Sequence, residues 1–348
     1  MIPVKIAAQL EAFWSGEQPD QIPYTIYHTK VADGNDDRAW AELFAKGLGL
    51  TYKWYPFKLE TRDLVTDEQT RTENGKQIRR VTQRTSVGEI WAEWADNWQQ
   101  KYWLETPEDY RVMTHIVKNT AVVPDLENFR AQANALPPHA IAWAMIGRTP
   151  LQEILVDYVG LEKFSLHLFD YEAEVRELYA ALLTNFRQKV MIAASSPSKF
   201  ISNLENFTAE TLGPKRYAEF LLPVYEECFP ILRDAGKIVG AHYDGRTKSC
   251  RDLIARAPID LIESLTIPPE GDQTLAECRA VWRDKLFWCN INVSAYGLPR
   301  IELRELLTTL VEQGAPDGRR LAFEVSEALP ANWKDSIPIV LDILREMR

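Results

Sequence analysis

His242, Asp244 and Glu324 are the residues of this chain best suited by type and spacing to move a proton. Side chains of an extended strand alternate between faces, so in KIVGAHYD the residues Ile238, Gly240, His242 and Asp244 point one way, and imidazole and carboxylate are neighbours. In RLAFEVSE the bulky Leu321, Phe323 and Val325 alternate with Ala322, Glu324 and Ser326; packing the large set outward leaves Glu324 and Ser326 looking inward. A carboxylate beside an imidazole favours the charged ring and burial opposes it, and the balance sets a proton donor or acceptor near neutrality. The competing reading is an ion pair that only closes one end of the fold.

Other residues stand where they could hold a substrate. Parity in LFWCNIN puts Trp288, Asn290 and Asn292 on one face and Phe287, Cys289 and Ile291 on the other, which makes Asn290 and Asn292 substrate-orienting and leaves Cys289 under helices. Arg148 could hold an anionic group with its planar fork or make a surface salt bridge. Tyr24, Tyr27 and His28 surround the end of a strand, where one parity class must face helices. LTIPPEGD, residues 265–272, has prolines and a glycine that stiffen a loop, and Glu263 before it and Asp272 at its end could reach the mouth. His115 and His167 read as structural.

The elements that must position these groups are short apolar runs alternating with longer segments of helical period, the pattern of parallel βαβ units. The candidate strands are Ile22 to Tyr27, Leu50 to Trp54, His139 to Met145, Lys189 to Ala194, Lys237 to Tyr243, Ile259 to Glu263, Lys285 to Ile291 and Arg320 to Val325. They predict a closed (β/α)₈ barrel, a TIM barrel, whose chemistry sits at the C-terminal ends of the strands. An open doubly wound sheet would call for a Gly-rich phosphate loop after its first strand, and PYTIYHTKVADGNDD supplies none. One domain over residues 1–348 is expected, elaborated by an insertion at about 56–136. Within it, Asn74-Gly75 predicts a hairpin turn, and Thr106 with Pro107 predicts a helix start.

A net charge of -10 with basic residues scattered among acids argues against a nucleic-acid partner. No apolar run is long enough to span a bilayer and the opening residues lack a secretory signal, so a cytoplasmic protein is expected, with no membrane partner. Cys228, Cys250, Cys278 and Cys289 are far apart, which points to reduced thiols and to no cysteine zinc knuckle. The 11 tryptophans, several in the run from Trp91 to Trp103, read as packing residues, and a homodimer through that segment is one expectation.

GKIVGAHYDGR, IDLIESLTIPPEGDQTLAECRAVWRDKLFWCNIN and LAFEVSEALPANW resemble the second half of the uroporphyrinogen decarboxylase superfamily. SPSKFISNLENFTAETLGPKRYAEFLLPVYEECFPIL resembles the helix-rich segment before it, and RTSVGEIWAEW, PEDYRVMTHIVKN and EAFWSGEQPDQIPY extend the likeness more loosely. The resemblance implies a (β/α)₈ barrel that is either a decarboxylase or a methyltransferase passing methyl groups between a small substrate, a corrinoid protein and a thiol. Its zinc-dependent methyltransferases show His-x-Cys after the fifth strand and another Cys after the eighth; here stand His242-Tyr243-Asp244 and Ser326. A zinc or other divalent ion would have to be held by His242, Asp244 and Glu324 without thiolate, which suits thiol activation poorly. The arginine-bearing N-terminal segment that holds a porphyrinogen's carboxylates has no equivalent.

The leading expectation is a corrinoid-linked methyltransferase of the O- or N-demethylating type, with cobalamin on a partner protein and His242, Asp244 and Glu324 supplying acid or metal at the barrel mouth. The substrate-binding set is then Tyr24, Tyr27, His28, Arg148, Glu263, Asn290, Asn292 and Ser326. A carboxy-lyase using Arg148 and His242, and a non-catalytic ligand-binding barrel, are the alternatives.

Overall fold

In the computed structural model, which describes residues 6–325 and 328–347, parallel strands close into a barrel. In chain order they are β1 (Tyr24–Tyr27), β2 (Gly49–Trp54), β3 (Ala140–Gly147), β4 (Phe200–Asn203), β5 (Ile238–His242), β6 (Leu261–Leu265), β7 (Leu286–Ile291) and β8 (Leu321–Val325). Each strand lies beside its sequence neighbours and β8 returns to β1, with Thr25 opposite Glu324, so no edge is left open. This is the (β/α)₈ fold that the sequence predicts.

One strand needs correcting. Lys189 to Ala194 is not extended but forms the end of a long helix, Glu172–Ala194, and the fourth strand is Phe200–Asn203. Val190 and Ala193 are buried while Met191 is 56% exposed, a helical spacing of burial rather than alternation. FISN escapes notice because it is only 4 residues long and buried throughout, so no polar alternation marks it.

The N-terminal end of the barrel is plugged by helix α1 (Ile6–Ser15). Its Ile6, Leu10 and Phe13 pack with Phe200, Leu261, Leu286 and Ala322 from strand starts, and with Trp143 and Trp288 a layer higher. The ring of Trp288 meets Phe13 edge-on at 5.7 Å and Trp143 at 4.8 Å between centroids. Gly240 faces this core; a Cβ there would come within 2.8 Å of Leu261 Cδ2. Apolar bulk thus fills one end and leaves the polar inward positions at the other.

The chain divides into two compact units: residues 1–56, 126–145 and 193–348 in the first, 57–125 and 146–192 in the second. The second contains an antiparallel sheet of Val65–Glu73, Lys76–Thr85, Gly88–Ala95 and Trp98–Lys101, whose first turn is Asn74-Gly75 with both φ angles positive, 50° and 79°. Helix α2 (Pro107–Lys118) starts at Thr106, whose hydroxyl accepts from Asp109 N while Asp109 returns the bond in a capping box. The Trp91 indole is met by two cations, Arg80 at 3.9 Å and Lys101 at 4.2 Å from its centroid. Helices α3 (Leu161–Asp170) and α4 (Glu172–Ala194) complete the unit. Among the described residues, no helix is long and apolar enough to cross a membrane.

Candidate functional site

Trp143 and Trp288 form the floor on which an inward polar cluster stands in the first unit, and Trp288 Nε1 donates to Thr25 Oγ1 at 3.1 Å. Glu263, 1% exposed on β6, is the hub. Its Oε1 is ion-paired with Lys53 Nζ from β2 and accepts the Tyr27 hydroxyl at 2.9 Å; its Oε2 accepts the Ser202 hydroxyl at 3.2 Å. His242 Nδ1 stands 3.6 Å from the same Oε2, a charge contact rather than a hydrogen bond, and Nε2 stands 3.5 Å from Asp244 Oδ2. Asp244 in turn accepts from Asn206 Nδ2 at 3.2 Å. Positive and negative groups therefore alternate from Lys53 through Glu263 and His242 to Asp244.

Burial works against a charged His242, but the Asp244 and Glu263 carboxylates outweigh it and push the ring's pKa up to about 9. Glu263 shows the complementary balance: burial raises it, yet Lys53 and His242 hold it well below the usual carboxylate range. Glu324 behaves in the opposite sense. Burial raises its pKa, and the Glu263 charge adds to that against weaker help from Lys53 and the Ser264 hydroxyl. One acid is locked as an anion and its neighbour is the one ready to carry a proton.

The hydroxyls beside Glu324 can serve either of its protonation states. Ser264 Oγ is 2.6 Å from Glu324 Oε1 and 3.2 Å from the Tyr27 hydroxyl, which donates to Glu263. With Glu324 ionised, Ser264 gives its only proton to Glu324, and the contact with Tyr27 has none. With Glu324 protonated, each hydroxyl donates to the next, from Glu324 through Ser264 and Tyr27 to Glu263.

Of the residues singled out by sequence, His242, Asp244, Glu263 and Tyr27 share this network, and Glu324 joins it through Ser264. Asn290, 5% exposed, donates to Ser264 O at 3.4 Å, and Asn292, 8% exposed, donates to Ile267 O and to Glu270. Tyr24 belongs to the other parity class, its hydroxyl 2.7 Å from that of Tyr296, because Thr25 and Tyr27 take the inward positions of β1. His28 stacks on Tyr52 with centroids 4.5 Å apart, on the face of β2 opposite Lys53. Arg148 belongs to the second unit, where Nη1 donates to both Asp157 carboxylate oxygens at 3.0 and 3.1 Å. Ser326 lies outside the described residues.

Asp272 braces a loop by accepting from Thr247 N and Lys248 N. His115 pairs with Asp63 at 2.8 Å, and His167 Nδ1 stands 3.0 Å from the Tyr110 hydroxyl. Cys289 is buried on the face of β7 opposite Asn290, and all four cysteines are buried and outside any disulfide.

Lys53, Ser202, Asn206 and Ser264 are members that sequence reading missed. Lys53 carried a signal, a charged residue two places after inward Thr51 in TYKW. Ser202 was hidden by the misplaced fourth strand. Ser264 reaches the site through a bulge in the pairing of β6 with β7, at a φ of 56°, so it and Glu263 both serve the cluster against simple alternation.

Above the network, at the C-terminal ends of β5, β6 and β7, a cavity of about 270 Å³ is lined by Asp244, Thr266, Glu270, Asn290, Asn292 and Val293. Among the described residues, no three of His, Cys, Asp or Glu are grouped so as to hold a metal ion. Glu263 is already saturated by donors and the thiols lie elsewhere, so this donor set does not fit zinc.

No family model and no curated protein matches the sequence. Among solved structures, the chain is similar to a methyltransferase from Methanosarcina mazei, with a TM-score of 0.47 and 9% identity over 68% of this chain and 64% of that one. It is also similar to a B12-independent methionine synthase from Shewanella sp. W3-18-1, with a TM-score of 0.44 and 10% identity over 89% and 85% of the two chains. A catalytic module of the pneumococcal exo-β-D-N-acetylglucosaminidase StrH gives a TM-score of 0.39 at 10% identity over 97% and 86%. This chain thus spans 64% of the length of the methyltransferase it matches. Likenesses this slight carry no functional argument.

Proposed function

We propose that the barrel is a methyltransferase that removes a methyl group from a small O- or N-methylated substrate, with a corrinoid on a partner protein as the acceptor. The observation that carries this reading is the buried pair of unlike carboxyls, Glu263 fixed as an anion by Lys53 and His242, and Glu324 favoured as the neutral acid. Methyl transfer breaks a carbon–heteroatom bond, and the electron pair left on oxygen or nitrogen needs a proton. Glu324 gives it, and the Ser264 and Tyr27 hydroxyls, each within hydrogen-bond reach of the next, realign as the charge moves. His242 holds Asp244 at the cavity edge, and Glu263 keeps His242 charged.

A corrinoid on a partner protein would supply the nucleophile at this mouth. The cavity is small beside the roughly 300–1,000 Å³ of ordinary ligand pockets. Its named lining carries carboxylates and amides and no arginine or lysine, which disfavours a multiply carboxylated porphyrinogen and with it the carboxy-lyase alternative.

The test is formation of methylcobalamin when the protein is incubated with reduced cobalamin and a panel of methoxylated aromatics and methylamines. Turnover with at least one donor is expected, and Glu324→Gln is expected to lower it by about 10²–10⁴-fold, the usual worth of a general acid. Failure with every donor sinks the assignment, and full activity in Glu324→Gln removes Glu324 from the mechanism.

A further inference from the structure

The hydrogen-bonding capacity of the mouth cavity is one-sided. Asn292 Nδ2 is committed to Ile267 O and the Glu270 carboxylate, both acceptors, so its amide can be oriented only one way. Asn290 Nδ2 gives one of its two N–H groups to Ser264 O, and the Thr266 hydroxyl donates to Ser264 O at 2.9 Å. The lining thus offers Asn290 Oδ1, Asn292 Oδ1 and the lone pairs of Thr266 Oγ1, beside the carboxylates of Asp244 and Glu270, against one side-chain N–H left on Asn290. Acceptors outnumber donors.

Charge points the same way. Asp244 is balanced by His242, but among the described residues Glu270 meets only a neutral amide in Asn292, so the described lining has a net negative charge. Lys53, a cation deeper in the barrel, is tied to Glu263. Anions meet repulsion here, and a neutral ether leaves buried acceptors without partners at a cost per group.

We infer that the mouth cavity binds a small organic ammonium ion through its N–H groups, which narrows the proposed methyltransferase to N-methylated amines and rests on that reading. A lining of oxygens would also suit a hard divalent cation, but the cavity is far larger than one ion and no three carboxylate or imidazole groups gather round a point among the described residues. Held as an ammonium ion, the nitrogen leaves its methyl carbon as a neutral amine, keeping the carbon–nitrogen electron pair. A proton from Glu324, which lies behind the lining as the strand partner of Asn290, then returns the amine to its cationic form.

Calorimetric titration of the full chain with dimethylammonium, trimethylammonium, tetramethylammonium, acetate, anisole and calcium chloride tests this. Dimethylammonium is expected to bind best, and tetramethylammonium, which has no N–H, at least about tenfold more weakly, with acetate and anisole weaker still. Glu270→Gln, on an exposed loop, is expected to weaken dimethylammonium about tenfold. Equal binding of tetramethylammonium, preference for acetate or anisole, displacement of the amine by calcium, or no amine binding overturns the inference. Methyl transfer from a methoxylated donor without amine binding overturns it while sparing the methyltransferase reading; amine binding with no methyl transfer from any donor does the reverse.

Discussion

His242 is the residue at which the competing forces are most evenly matched, and its protonation has a measurable consequence. A buried ion pair is weak evidence of net stability, because desolvation cancels much of the attraction. The ring's pKa nevertheless rises from 6.5 to about 9, and that shift is itself a stability statement. A group whose pKa is raised by folding contributes stability that is complete below the unfolded value and is lost as the pH climbs through the folded one. The His242 contribution is therefore whole below pH 6.5 and gone above about 9, a difference on the order of 3 kcal/mol. Glu324, raised from 4.5 to about 7, adds a slope of the same sign between those values, below most of the His242 window. Thermal melts between pH 6.5 and 9.5 are expected to show falling stability, and His242→Gln is expected to flatten the curve. Parallel curves for the two proteins would mean that the ring is not held charged.

At the scale of elements, the loop after β6 decides the shape of the mouth, because it carries both Thr266 and Glu270. It folds back tightly: Gly271 N donates to Ile267 O at 2.9 Å, and a Cβ on Gly271 would lie 1.9 Å from Thr266 O, which is backbone and cannot turn aside. Gly271→Ala must then open the loop, at a cost of about 1–3 kcal/mol typical of overpacking. The side-chain amide resonance of Asn292, which donates to Glu270, is expected to move with it; an unshifted resonance would show that the loop absorbs the methyl group elsewhere.

This element also shows where sequence reading stops. Parity along β5, β7 and β8 is legible because alternation survives in HYD, WCN and FEV, and it sets His242, Asn290 and Glu324 inward. It failed at Ser264, since a bulge is a decision of register between two strands and leaves no mark in one. It failed again at β4, where a helix end rich in Val, Met and Ile outshone a strand of 4 buried residues. Lys53 was passed over for a different reason: a lysine is read as solvent-facing unless its partner is known, and Glu263 is remote from it in sequence.

For the molecule as a whole, the division into units cuts across the order of the chain. The second unit joins residues 57–125 to residues 146–192, and specific bonds tie the two segments: Leu104 N to Tyr158 O at 3.0 Å, Asn185 Nδ2 to Val117 O at 3.1 Å, and Tyr110 to His167. Tyr110 is fully buried there, between α2 and α3. Elements that share buried contacts open together, so α2, α3 and α4 are expected to exchange their amide hydrogens as one cooperative group, although residues 119–160 separate α2 from α3. Tyr110→Ala removes a large buried ring at a cost of about 3–5 kcal/mol. In native-state hydrogen exchange it is expected to speed α3 and α4 as much as α2 while leaving β6 and β7 protected. Acceleration confined to α2 would show that residues 57–125 are an independent appendage, and equal acceleration in β6 and β7 would show that the two units unfold as one.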